Sequence, residues 1–83
     1  GSEMCIRDSR YLCQWAVCKR NINRIQIRCA VENHPSNAIP KRLGFTLEGT
    51  ERDGELLVSG EYVDTNVYSI LKKEVESWNR KSN

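Results

Sequence analysis

From Ser9 to Arg20 apolar residues recur at helical spacing, with Tyr11, Leu12, Trp15 and Ala16 on one stripe. Ser9 stands where an N-cap belongs, and Lys19 and Arg20 close the last turn, where cations complement unpaired carbonyls. The spacing predicts a helix over 9–20. Beyond Asn21 and Asn23 the period drops to two. Ile25, Ile27, Cys29 and Val31 alternate with Arg24, Gln26 and Arg28, which predicts a strand over 24–31 buried mainly on one face.

The run Asn33-His34-Pro35-Ser36 reads as a turn into a short helix over 36–43, with Gly44 as its stop signal. Ser36 is the expected N-cap, and Pro40 falls in or just after the first turn, where a missing N–H does least harm. Residues 45–49 and 51–58 read as one strand interrupted by a bulge near Gly49-Thr50. Ser59-Gly60 turns the chain, and 61–71 returns as a strand rich in Tyr, Val, Thr and Ile. A polar helix over 72–78 follows. The order is α-β-α-β-β-α, an α+β arrangement without repeats or an internal linker. Residues 1–8 lack periodicity and are set apart as an unmatched leader or cloning scar, 9–79 as the domain, and 80–83 as a disordered tail.

Eighty-three residues bound the chain to one small domain, which buries a smaller share of its surface than a larger one does. With 39% hydrophobic and 29% charged residues, wholesale disorder is not expected. The net charge of +2, from 13 basic and 11 acidic residues, does not call for a nucleic-acid or membrane partner. Four cysteines, at 5, 13, 18 and 29, form no C-x-x-C pair, and His34 lies outside any zinc spacing, so no metal is expected. An even count permits disulfides; without secretion signals the cysteines read as reduced thiols that fill the core of a cytosolic protein. No apolar run approaches the roughly 18 residues that span a bilayer.

The ordered run N-R-[strand]-x-N-x-x-S-x-A-[helix]-L-G-F-x-x-E-G, followed by Y-x-D-x-x-x-Y-x-x-L-K, covers residues 23–72. Read whole, it resembles the C-terminal half of a GNAT-superfamily N-acetyltransferase, in the branch that acetylates ribosomal proteins. The resemblance implies part of a mixed-sheet α/β/α fold whose N-terminal half is absent, with acetyl-coenzyme A as co-substrate. It also marks a departure. The family's pyrophosphate loop, an Arg/Gln-x-x-Gly-x-Gly/Ala turn, would fall at Met4–Ser9, which has no glycine to allow close backbone approach.

Three residues carry the implied chemistry, each with a plainer alternative. Asn33 matches the residue that meets the pantetheine arm; otherwise it is a turn asparagine stabilising its own loop. Ser36 matches the serine that protonates the departing thiolate and also contacts the cofactor; otherwise it is a helix cap. Other branches place a tyrosine acid four residues on, where this chain has Pro40. Glu55 matches the general base, and a carboxylate suits deprotonation of an ammonium; otherwise it is a solvated charge beside Arg52 and Asp53. Attack is direct, so no cysteine is needed as nucleophile. Lys19, Lys41 and Arg42 form a modest basic set, read as phosphate contacts or as solvated helix faces. Tyr62 and Tyr68 read as core or as a substrate-side wall, and Asp64 sits where the family keeps an acid.

Two functions from different classes follow. One is acetyl transfer to a protein N-terminal or small-molecule amine; the alternative is a non-catalytic, self-associating interaction module. Both expose a sheet edge, which predicts homo-oligomerisation by edge pairing or swapping. An RNA-binding reading fits worst, because charge is nearly balanced and the aromatics form no stacking platform.

Overall fold

The structure, a computed structural model, describes residues 6–81, with side chains described over 6–78. The elements are α1 (Ile6–Arg20), β1 (Arg24–Ala30), α2 (His34–Leu43), β2 (Thr46–Leu56), β3 (Tyr62–Leu71) and α3 (Lys72–Lys81). This is the predicted α-β-α-β-β-α order. Residues 1–5 of the expected leader and 82–83 of the expected tail lie outside the described residues. Residues 6–8 and 80–81, assigned to those same segments, are helical.

Helix α1 differs from expectation in its start and in its buried face. Ser9 does not cap it; the helix begins three residues earlier and Ser9 is buried within it. The buried face is Ser9, Cys13 and Val17, four residues apart, with Ile6 packed beside them. The predicted stripe points away: Tyr11, Leu12 and Trp15 are 66%, 50% and 51% exposed. Small residues let the helix lie close to its neighbours, and the larger apolar ones are left outside. Trp15 instead receives the Arg20 guanidinium 5.7 Å from its ring centroid. Arg10 lies 4.8 Å above the Trp78 ring and ties α1 to α3. Asn21, at φ 54°, ends α1 in a left-handed cap, and the Ile22 N–H donates to Ala16 O at 3.1 Å.

The sheet order is β1-β3-β2, and both pairings are antiparallel. Ile25 faces Ile70 and Ile27 faces Tyr68, so the alternation predicted for β1 sets the register against β3. All three helices pack on this face, where Val17, Leu43, Phe45, Tyr68, Ile70 and Val75 form the buried cluster. The opposite face is closed by long charged side chains. Arg28 pairs with Glu51, and Arg24 approaches Glu48 at 3.6 Å, bridging β1 to β2 across β3. Beneath them Thr65, Val67 and Ser69 are buried, and the Ser69 hydroxyl donates to Glu48.

Strand β2 carries two irregularities, one between Leu47 and Gly49 and one between Glu51 and Glu55. The first matches the bulge expected near Gly49; the second, over 52–54, was not anticipated. In α3 the Glu74 carboxylate accepts the Leu71 N–H at 2.8 Å, the backward half of a capping box. Among the described residues no helix is long and apolar enough to cross a membrane.

Candidate functional site

The end of β1, the start of α2, the start of β3 and the far limb of β2 meet at one end of the sheet. Strand β1 has a neighbour only on its β3 side among the described residues. Val31 N donates to Asp64 O at 2.9 Å and Lys72 N to Asn23 O at 2.8 Å, so odd-numbered peptide groups of β1 face β3. The peptide groups of Gln26 and Arg28 therefore face the open edge. The Ala30 carbonyl, also on that side, is occupied by the Asn33 N–H at 3.0 Å and by Asn37 Nδ2 at 2.9 Å.

Asn33 is the N-cap of α2, and its Oδ1 accepts the Ser36 N–H at 3.2 Å. The plainer role weighed for it is thus present in the structure. Capping uses the carbonyl oxygen alone and leaves the amide N–H donors without a partner among the described residues. Ser36, expected as the cap, is instead the third residue of the helix. Its half-buried hydroxyl has no hydrogen-bond partner among the described residues.

Pro40 lies deep in α2 rather than near its first turn, because the helix starts at His34. It has no N–H to offer the Ser36 carbonyl four residues back. The Cys29 thiol takes that place, donating to Ser36 O at 3.4 Å. Burial pushes the Cys29 thiol above its ordinary pKa, which keeps the proton on sulfur for this bond.

Asn37 was not singled out from the sequence. It is 4% exposed, and both of its polar atoms are fully used. Nδ2 donates to Ala30 O at 2.9 Å and Asn33 O at 2.7 Å; Oδ1 accepts from Asn66 Nδ2 at 2.9 Å and Tyr68 OH at 2.8 Å. A sequence signal existed. Asn37, Pro40 and Leu43 share the buried stripe of α2, and an amide on such a stripe must find partners.

Glu55 lies on β2 opposite Val63 and is exposed, and its carboxylate has no hydrogen bond or ion pair among the described residues. It follows the second irregularity, where Asp53 takes φ 50° and donates its N–H to Asp64 Oδ1 at 2.9 Å. Asp64 thus touches both sides of the site: its carbonyl holds Val31 and its carboxylate holds Asp53. The structure gathers Asn33 and Ser36 into one turn and leaves Glu55 at the same end of the sheet, across β3.

The basic set does not join them. Lys19 closes α1, and Lys41 and Arg42 close α2, at the opposite end of the sheet, where they complement helix C-termini. Tyr68 is core, 1% exposed, whereas Tyr62 is exposed opposite Leu56. Cys13, Cys18 and Cys29 are free thiols; Cys13 and Cys29 fill the core as expected, and Cys18 is exposed.

No family model matches the chain. A Bacillus subtilis (strain 168) protein named as a ribosomal N-acetyltransferase, YdaF, is 45% identical over 67 residues, 81% of this chain and 36% of its own length. The solved RimL structure, a ribosomal L7/L12 α-N-protein acetyltransferase in complex with coenzyme A, superposes with a TM-score of 0.73 at 35% identity. That match covers 80% of this chain and 37% of RimL. The chain belongs to the GNAT acetyltransferases. A second GNAT neighbour, the microcin C7 self-immunity acetyltransferase MccE in complex with acetyl-CoA and AMP, gives a TM-score of 0.73 at 36% identity, over 80% of this chain and 36% of MccE. The chain therefore spans little more than a third of the length of these GNAT relatives.

Proposed function

We propose that the domain to which this chain contributes transfers an acetyl group from acetyl-coenzyme A to a primary amine, either a protein N-terminal α-amine or a small molecule. The observation that carries this reading is the open β1 edge running directly into a turn where the Ser36 hydroxyl has no partner. The fit to the co-substrate rests on donor chemistry. The outward peptide groups of Gln26 and Arg28, with the unused amide N–H donors of Asn33, suit an arm built from successive amides.

When bound, acetyl-coenzyme A supplies the acetyl group as a thioester and departs as a thiol. Asn33 orients the arm at the mouth of the turn. Glu55 accepts a proton from the acceptor ammonium, directly or through a water, and frees the nitrogen lone pair to form the new C–N bond. Ser36 gives its hydroxyl proton to sulfur as the C–S bond breaks. Its hydroxyl is available for this because the helix cap is supplied by Asn33, and it would regain a proton as the acylated nitrogen sheds its second one to become a neutral amide.

The acceptor is further proposed to approach from the β2 side, where Glu55 stands. The open edge and the exposed stripe of Tyr11, Leu12 and Trp15 support self-association. A cytosolic setting accords with the free thiols.

Isothermal titration of acetyl-coenzyme A, paired with a thermal melt, tests the reading. Saturable heat with a raised melting temperature is expected, weakened by Asn33→Ala. Absence of both heat and a melting shift overturns it.

A further inference from the structure

Strand β3 separates the turn bearing Ser36 from the strand bearing Glu55, so something must hold the two in register. The side chains on the helix-facing side of β3 form a continuous path between them. Thr50 of β2 donates its hydroxyl to Asn66 Oδ1 at 2.7 Å, directly across the β2–β3 pairing. Asn66 Nδ2 donates in turn to Asn37 Oδ1 at 2.9 Å. Asn37 then donates to the carbonyls of Ala30 and Asn33, the two residues that bracket the turn.

Every donor in this path has one direction. The hydroxyl of Thr50 gives to Asn66, Asn66 gives to Asn37, and Asn37 gives to the turn. Reversing Asn66 alone would set its oxygen against Asn37 Oδ1, and reversing Asn37 alone would set its N–H against Asn66 Nδ2 and its oxygen against two carbonyls, so the orientation of each fixes the next. Tyr68 OH, donating to the same Asn37 oxygen at 2.8 Å, locks that orientation from within the core. Among the described residues no buried side-chain nitrogen or oxygen is left without a partner. The path is buried at Asn37 and Tyr68 and exposed at Thr50, and at its buried end a satisfied polar network rigidifies what it joins.

We propose that Thr50, Asn66 and Asn37 form a hydrogen-bonded relay across β3 that positions the Asn33–Ser36 turn relative to β2 at Thr50, in the stretch that precedes the 52–54 irregularity leading to Glu55. All three are positioning residues. Their importance for catalysis rests on the acetyl-transfer reading, but the relay itself does not.

The test uses Thr50→Val, which keeps the shape of an exposed side chain and removes its hydroxyl. In amide NMR spectra of the whole chain, Thr50→Val is expected to shift the Asn33 and Ser36 resonances, across β3 from the substitution. Thr46→Val, on the same strand but opposite Ser69, is expected to leave them unchanged. Shifts confined to β2 and β3, with Asn33 and Ser36 unmoved, overturn the relay. Asn66→Asp is a second variant, since it replaces the donor to Asn37 with an acceptor and should move the same two resonances.

If the wild-type chain binds acetyl-coenzyme A, Thr50→Val should weaken binding roughly two- to tenfold, about the contribution of one neutral hydrogen bond. An unchanged affinity counts against a role for the relay in the site. A wild-type chain that does not bind overturns the functional reading, and the NMR comparison still decides the relay.

Discussion

The backbone N–H of Asp53 donates to the Asp64 carboxylate at 2.9 Å, pinning the left-handed residue two positions before Glu55. An aspartate tolerates positive φ better than most side chains, yet the conformation still needs support. Asp64 supplies it while its carbonyl holds Val31 on the other side of β3. Asp64→Ala should loosen the 52–54 segment and lower stability by about 1 kcal/mol, because the bond is exposed. Asp64→Asn keeps an acceptor and should cost less. Hydrogen exchange at the Asp53 amide reads the difference directly.

Gly54 lies against β3 so closely that a Cβ there would overlap Thr65 Oγ1, and Thr65 is itself buried. Gly54→Ala should therefore destabilise the protein by roughly 1–3 kcal/mol, in the range of overpacking a filled site. Gly49→Ala meets nothing within 4 Å and serves as the control in the same denaturation series.

Burial raises the thiol pKa of both Cys13 and Cys29 above the reference value of 9.0. A raised folded value means that the folded protein keeps protons that the unfolded chain releases. The associated stability is whole below the unfolded thiol pKa and is lost as pH rises through the folded values. Urea midpoints should thus fall above about pH 9. A Cys13→Ala, Cys29→Ala double variant should show a shallower fall. At neutral pH a thiol reagent should modify exposed Cys18 before the other described thiols, and Cys29 only as the chain opens.

The exposed stripe on α1 and the open β1 edge should make the chain associate. Sedimentation is expected to show a concentration-dependent rise in mass, reduced by Leu12→Glu or Trp15→Glu. Because both side chains are already half exposed, these changes should leave monomer stability within about 0.5 kcal/mol.

Much of the architecture was legible because β1 alternates cleanly and β3 is rich in β-branched and aromatic residues. Burial on one face fixes such strands in register. The α1 face was not legible, since Tyr11, Leu12 and Trp15 outweigh Cys13 and Val17 in hydrophobicity although the latter pack inside. The cap of α2 was misplaced for a different reason. Asn33 and Ser36 are both good caps three residues apart, and Pro35 within the first turn favours the earlier one. Asn33, Ser36 and Glu55 were picked out by their motif run. Asn37 was readable as an amide on the Asn37–Pro40–Leu43 stripe, but three of its four hydrogen bonds reach other elements, and no local pattern displays those partners.

The most direct test of the central claim is an amide NMR titration of the chain with acetyl-coenzyme A. Saturable shifts are expected at Gln26, Arg28, Asn33 and Ser36, with the Asn21–Asn23 connection at the other end of β1 unaffected. Shifts centred on that opposite end, or no saturable shifts at all, would contradict that claim.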